Sequence, residues 1–227
     1  MKSTAEIVVI GGGVIGCSTA YYLAQHGAQD VILLERGELC SGGTAKSCAI
    51  VRTHYSIESN LVHAAESLKI FANFDELVGG DIGFRRTGYL ILGPEEHRES
   101  METVFRRQNE EGIDTAVLTP QEAREVHPLL RYDDAGVIGY DSFTGYADPY
   151  LTTTTYARRA QDLGVTVHTM AEVDDISFNG DLKTVHTNLG DVSAPIVIMA
   201  VGPWTNQLGQ GIGLQFPYEN SRHQVIT

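Results

Sequence analysis

Three things are scarce in this chain. No apolar run in its 227 residues approaches the length of a bilayer span, so helical membrane spans are not expected. Cysteine is rare and odd in number, and Cys17, Cys40 and Cys48 have no metal-ligand spacing. That argues against a disulfide framework and a zinc site, and for reduced thiols in a cytoplasmic protein. Basic residues are few: 16 lysines and arginines face 29 acids, and only Lys2, Lys46, Lys69 and Lys183 are lysine. A net charge of −13 disfavours nucleic acid and anionic membrane as partners. The same lysine-poor acidity suits a halophilic cytoplasm and an ordinary acidic protein equally. Met1-Lys2-Ser3-Thr4-Ala5 runs directly into an apolar segment, so no signal peptide is expected there. With 42% hydrophobic residues, there is material for a substantial core.

What is present is concentrated near the start. Glu6-Ile7-Val8-Val9-Ile10 leads into Gly11-Gly12-Gly13-Val14-Ile15-Gly16, a helical pattern follows, and Val31-Ile32-Leu33-Leu34 ends in Glu35. A strand, a G-x-G-x-x-G turn, a helix, a second strand and an acid at its tip predict a dinucleotide site. Gly11 permits the tight turn, Gly13 lets a pyrophosphate approach the backbone, and Gly16 lets the helix press against the strand. The N–H groups of the first helical turn, around Val14 and Ile15, face the phosphates. Glu35 accepts from a ribose hydroxyl, with Arg36 beside it. A bare strand–helix turn would also use the glycines but leaves the acid unexplained. Glu35 serves an adenosine ribose in FAD or in NAD, and both remain open on these residues. Gly16, Ala20 and Ala24 give the helix a small-residue face, and Gly27 closes it.

Alternating strands and helices continue without internal repeats. After a glycine-rich loop, Cys40 to Ser47, a long helix is expected from Glu58 to Val78, with Ser56 as N-cap and Gly79-Gly80 as its stop. From Asp81 the texture changes. A strand at 87–93, a helix opened by Pro94, a capping box at Thr119-Pro120-Gln121-Glu122 and a strand at 135–140 read as an excursion into a second domain. Asp148-Pro149 opens a helix to Leu163. A strand at 165–168 follows, then a hairpin around Asn179-Gly180. Ile196 to Ala200 reads as a fully buried strand ending at Gly202-Pro203-Trp204, where open α/β sheets bind ligands.

Taken together, the opening fingerprint, Leu34-Glu35-Arg36-Gly37, Ile50-Val51-Arg52-Thr53-His54-Tyr55 and Met199-Ala200-Val201-Gly202-Pro203-Trp204 resemble the D-amino-acid oxidase-like superfamily of FAD-dependent oxidoreductases, in its sarcosine oxidase and dimethylglycine dehydrogenase branch. The resemblance implies an α/β fold: a Rossmann-like FAD-binding domain with a β-meander, plus part of an α+β substrate domain. Residues 1–80 and 146–206 would form the first domain, 81–145 the start of the second, and 207–227 the beginning of a returning segment. It implies FAD as cofactor, with adenine against the backbone of Val173. The isoalloxazine ring would lie near Gly42, Gly43, Thr44 and Ala45 and near Ala200, Gly202 and Trp204. It implies an amino-acid or N-methyl amine substrate oxidised at its C–N bond, with Arg52 gripping the substrate carboxylate. His54 and Tyr55 are the accompanying candidates. His63, His97, His127, His168, His186 and His223 show no metal spacing, and no metal is expected.

The chain departs from the pattern in two places. Monomeric sarcosine oxidases carry a paired His and an Arg in the flavin loop, where this chain has Thr44, Ala45 and Ala49. That argues against sarcosine itself as substrate and against direct transfer to oxygen. The other departure is Val225-Ile226-Thr227, which looks like the interior of a returning strand, so a complementary C-terminal portion or chain is expected. Three readings follow: an FAD-dependent amine or amino-acid oxidoreductase, an NAD-dependent dehydrogenase, and a non-catalytic or split-subunit fragment.

Overall fold

The computed structural model describes residues 1–55 and 57–221. In chain order its elements are β1 (Ile7–Ile10), α1 (Val14–Gln25), β2 (Val31–Leu34), β3 (Ile50–Val51), α2 (Glu58–Ala72), α3 (Phe74–Leu77), β4 (Arg85–Arg86) and β5 (Tyr89–Gly93). Then come α4 (Arg98–Glu110), β6 (Thr115–Val117), α5 (Pro120–Val126), β7 (Val137–Asp141), β8 (Gly145–Tyr146) and α6 (Pro149–Asp162). The last are β9 (Thr166–His168), β10 (Val173–Asn179), β11 (Leu182–Thr187), β12 (Val192–Ala194), β13 (Ile196–Met199) and α7 (Thr205–Gly211). They fall into two compact units: one of Met1–Cys48, Val78–Ile82 and the chain from Asp148 onward, the other of Ala49–Leu77 and Gly83–Ala147.

The first unit is layered. A parallel sheet in the order β13-β1-β2-β9 has β1 and β2 at its centre, buried at every position. Because successive side chains face opposite ways, Val8, Ile10, Ile32 and Leu34 share a face. They pack there with Ile176, Val185, Val192 and Ala194 of the antiparallel meander β10-β11-β12. Along α1, Gly16, Cys17, Ala20 and Tyr21 are buried. The rings of Tyr21, Tyr22 and Tyr156 form a cluster that joins α1 to α6. α6 starts as its sequence dictates: Asp148 caps it by accepting from Leu151 N–H at 2.8 Å, and Pro149 occupies the first turn, where its missing N–H costs nothing.

The second unit holds two small antiparallel sheets, β3-β8-β4 and β5-β7-β6. Met101 and Phe105 of α4 pack on Val137. Gly139 makes this possible, because a Cβ there would run into the Phe105 ring and the Met101 sulfur. Tyr132, Ala123 and Ile138 form a second cluster.

Several expectations need correction. The predicted domain start at residue 81 is too late, since Ala49–Leu77 belongs to the second unit. The cause is pairing and packing. β3 pairs with β8, and Leu61 and Ala65 of α2 bury against Ile113 and Phe143. The predicted helix over 58–78 is two helices. It breaks at Asn73, whose side chain donates to Lys69 O at 2.9 Å and so competes with the helical ladder. Ile57 stands at the N-cap position, and Ser56 lies outside the described residues. The hairpin turn is displaced by one residue: Asn179 pairs with Leu182, leaving Gly180-Asp181 as the loop, with Gly180 at φ +62°. β13 is not fully buried. It is an edge of its sheet among the described residues, and Ile196 is 48% exposed. Val225-Ile226-Thr227 and His223 lie outside the described residues. The capping box on α5 forms as expected, Thr119 Oγ1 accepting from Glu122 N–H while Glu122 accepts from Thr119 N–H.

The cap on α6 yields a direct test. Asp148→Ala should lower the unfolding free energy by about 1 kcal/mol in urea titrations. A change below about 0.3 kcal/mol would mean that α6 holds its first turn by packing alone.

Candidate functional site

The site in the first unit is assembled where β1, β2 and β13 end together. Parallel pairing places Ile10 beside Leu34 and Met199, so the three following loops open at one edge of the sheet. A cavity of about 520 Å³ lies there, lined by all three. The glycines of the first loop each have a steric reason. Gly11 sits at φ +112°, and a side chain would overlap Ala200 O. Gly12 presses on the Glu35 side chain. A Cβ at Gly16 would overlap Gly11 O, so α1 can start this close to the turn only with glycine there.

Glu35 is held from two sides. Its Oε2 accepts from Gly12 N–H at 2.6 Å and its Oε1 from Gly37 N–H at 2.8 Å. Each oxygen accepts one of these bonds and has capacity for another, so the carboxylate, which lines the cavity, can still accept from a hydroxyl pair. Thr44 Oγ1 accepts from Val14 N–H at 3.1 Å, fastening the glycine-rich loop to the helix start. Ile15 and Gly16, also in the first helical turn, have no intrahelical acceptor for their N–H groups. The Arg36 guanidinium stacks on the Trp204 ring at 4.0 Å, and both residues line the cavity.

Of the predicted cofactor contacts, Gly11, Gly13, Ile15, Glu35, Arg36, Gly42, Gly43, Thr44, Val173, Ala200, Gly202 and Trp204 line the cavity. Val14, Gly16 and Ala45 do not. Val14 contributes its amide to Thr44, Gly16 serves packing, and Ala45 lies in a short 3-10 turn, Thr44–Lys46. Sequence reasoning missed Ser41, Glu172, Asp174 and Gln207 as lining residues. Ser41 was flagged by its glycine-rich loop. The others carried no signal, because only the sheet brings the start of β10 and the start of α7 together. Buried Cys17 is an inert neighbour of this site: burial, reinforced by Glu35 and Cys40, pushes its thiol up to about 12.

The fit to FAD can be judged on these features. The glycine cradle, a carboxylate held at the rim with acceptor capacity to spare, and a helix start with free amides match the needs of an adenosine diphosphate moiety. The residues present fit the cofactor.

The predicted substrate residues all lie in the second unit. Arg52 follows β3, with its guanidinium carbon 5.3 Å from the Tyr55 ring and 6.0 Å from the Tyr89 ring. Among the described residues no carboxylate lies within ion-pair distance of it. In a chain with nearly two acids per base, that is notable. His54 is half-buried, its ring edge on Phe105 at 5.6 Å, and its Nδ1 has no partner among the described residues. Burial lowers its pKa from the ordinary histidine value and the Arg52 charge lowers it further, while Asp141 opposes both. The surroundings thus favour the neutral imidazole over the charged one. Among the described residues no cluster of side chains suited to a metal ion is present, and no helix is long and apolar enough to cross a membrane.

Removing the Glu35 carboxylate should loosen both the ribose contact and the turn it holds. Glu35→Ala should weaken FAD retention by about tenfold or more, in line with a charge-assisted hydrogen bond. Glu38→Ala, just past the strand tip, should leave it unchanged. Flavin absorbance retained through gel filtration reads both variants, and equal retention would remove Glu35 from the cofactor site.

Known proteins place these features in context. Residues 6–227 match the family model described as FAD dependent oxidoreductase. Rat (Rattus norvegicus) mitochondrial dimethylglycine dehydrogenase is 32% identical over 229 residues, covering 100% of this chain and 27% of that protein. Sarcosine oxidase subunit beta of an Arthrobacter species is 30% identical, covering 100% of this chain and 58% of that one. The crystal structure of L-proline dehydrogenase from P. horikoshii superposes with a TM-score of 0.87 at 30% identity, over 94% of this chain and 57% of that one. The chain thus spans between about a quarter and three-fifths of the length of these relatives. With the match running over residues 6–227 and a glycine turn, a rim carboxylate and a cavity at the sheet edge, the chain belongs to the family of FAD-dependent oxidoreductases.

Proposed function

We propose that this chain supplies the FAD site and the substrate-carboxylate contact of an oxidoreductase that oxidises the C–N bond of an amino acid or N-methyl amino acid. FAD, held by the residues around the cavity, would supply the two-electron redox chemistry as acceptor for the C–N bond oxidation. The residues of this chain bind and orient. Glu35, with the glycine turn, holds the adenosine end, while Thr44 and Trp204 shape the cavity wall. Arg52 receives the substrate carboxylate, and the Tyr55 and Tyr89 rings keep the guanidinium from folding away. His54, two residues on, has a buried Nδ1 without a partner among the described residues, and this nitrogen can accept a hydrogen bond from the substrate amine.

The observation that carries this reading is Arg52: a cation walled by two tyrosines, without an acid of its own among the described residues, in an acid-rich protein. Several relatives bear names that specify small N-methylated amino acids, among them dimethylglycine and sarcosine. That supports a substrate carrying both a carboxylate and a substituted amine. The name sarcosine oxidase subunit beta belongs to a multi-subunit protein, which supports a complementary chain as partner. Buried Cys17 and Cys40 with exposed Cys48, all free thiols, support a cytoplasmic setting.

Arg52→Lys keeps the charge but loses the two-pronged geometry. In the complete flavin-loaded enzyme, KM for N,N-dimethylglycine should rise by an amount equivalent to about 1–3 kcal/mol, with flavin content unchanged. Unaltered kinetics with dimethylglycine, sarcosine and proline would take Arg52 out of the substrate site.

A further inference from the structure

We infer that Asp141, acting through Thr53, is the residue that positions the Arg52 segment to receive a substrate carboxylate. The inference rests on the reading of Arg52 given above. Asp141 ends β7 and is fully buried. Its Oδ1 accepts from the N–H groups of Phe143 and Thr144, at 2.9 and 3.1 Å. Its Oδ2 accepts from the hydroxyls of Thr53 and Thr144, both at 2.7 Å. Thr53, also fully buried, in turn accepts from Gln108 Nε2 at 3.3 Å.

Two features separate this network from ordinary core polarity. First, four donors converge on one side chain, and only a carboxylate, with two oxygens, accepts all of them. An amide would turn an NH₂ group toward two of the donors. No cation lies within ion-pair distance of Asp141 among the described residues, so neutral donors alone hold a buried charge. Such a group is expensive to keep in a core unless donors converge on it, and here four do.

Second, the network supplies the buried hydrogen bonds of this segment among the described residues. Past the two residues of β3, the stretch from Arg52 to Tyr55 has no regular structure, and among the described residues its local backbone bond runs from Tyr55 N–H to Thr53 O. The Thr53 side chain therefore fixes the direction in which Arg52 and His54, its two neighbours, leave the backbone. Asp141 also closes the turn into β8, the strand that pairs with β3. One carboxylate thus sits both at the turn into the partner of the strand that leads into Arg52 and on the loop that follows it. Across the sheet Asp141 pairs with Tyr89, whose ring flanks Arg52.

The test compares Thr53→Val, Thr53→Ser, Asp141→Asn and Arg52→Lys in the complete flavin-loaded enzyme with N,N-dimethylglycine. Thr53→Val keeps the shape and removes the hydroxyl. KM should rise about tenfold with kcat changed less than about twofold and the flavin spectrum unaltered. Thr53→Ser, which restores the donor, should return KM to near the starting value. In the Arg52→Lys/Thr53→Val double variant the effects should fall short of additive, because both act on one contact. Should Thr53→Val fold poorly, Asp141→Asn gives the same KM readout. An unchanged KM in Thr53→Val alongside a raised KM in Arg52→Lys overturns the positioning role while leaving Arg52 in place. A parallel loss of kcat and flavin in Thr53→Val that serine does not rescue marks a purely structural network and overturns it too. If Arg52→Lys also leaves KM unchanged, the reading of Arg52 has failed and the inference falls with it.

Discussion

The Glu35 carboxylate is the constraint on which the cofactor end of this protein depends. It joins two loops that the sheet delivers to the same edge. One oxygen holds the amide of Gly12 in the turn after β1, and the other holds the amide of Gly37 just beyond β2. Neither loop has regular structure of its own. Both amides would otherwise need water, and water at the rim would compete for the surface a dinucleotide must occupy. A charged acceptor makes stronger bonds to these amides than a neutral one would. The group proposed to receive the ribose therefore also shapes the glycine turn, so in this account recognition and pre-organisation share one side chain.

Glycine does the complementary work. Gly11, Gly12 and Gly16 are packed against Ala200 O, the Glu35 side chain and Gly11 O respectively. Each is a place where backbone meets backbone or a neighbouring stem too closely for any Cβ. The result is a compact start to α1 whose positive dipole end lies beside the cavity, with Ile15 lining it. On its other faces the same helix is held by the tyrosine cluster it shares with α6. A capped α6 and a well-seated α1 thus support the cofactor turn from behind.

How much of this was readable from the residues depends on the range of the interaction. The glycine fingerprint, the Asp148 cap and the Thr119 capping box are local, with all partners within a few positions, and the chain spells them out. Ser41 sat in a visible glycine-rich loop. Glu172 and Gln207 reach the cavity only because β10 and α7 begin where the parallel sheet ends, and no local pattern encodes that. The second unit was harder still. Its sheet of two-residue strands, β3, β4 and β8, has no periodicity to read, so the segment from Ala49 to Leu77 looked like part of the first domain. The Thr53–Asp141 bond spans 88 residues and joins two unremarkable positions. The exposure of β13 was misread for a different reason. An apolar run reports a strand's composition, not whether it lies at the centre or the edge of its sheet.

The central claim is that the cavity at the sheet edge is an FAD site built around Glu35. Trp204, the single tryptophan of the chain, lines that cavity, so its fluorescence reports occupancy without a label. The decisive measurement is a titration of cofactor-free protein with FAD and, separately, with NAD, following Trp204 emission. The account predicts saturable quenching by FAD at concentrations where NAD leaves the emission unchanged. Equal quenching by NAD, or none by FAD at any concentration, would contradict it.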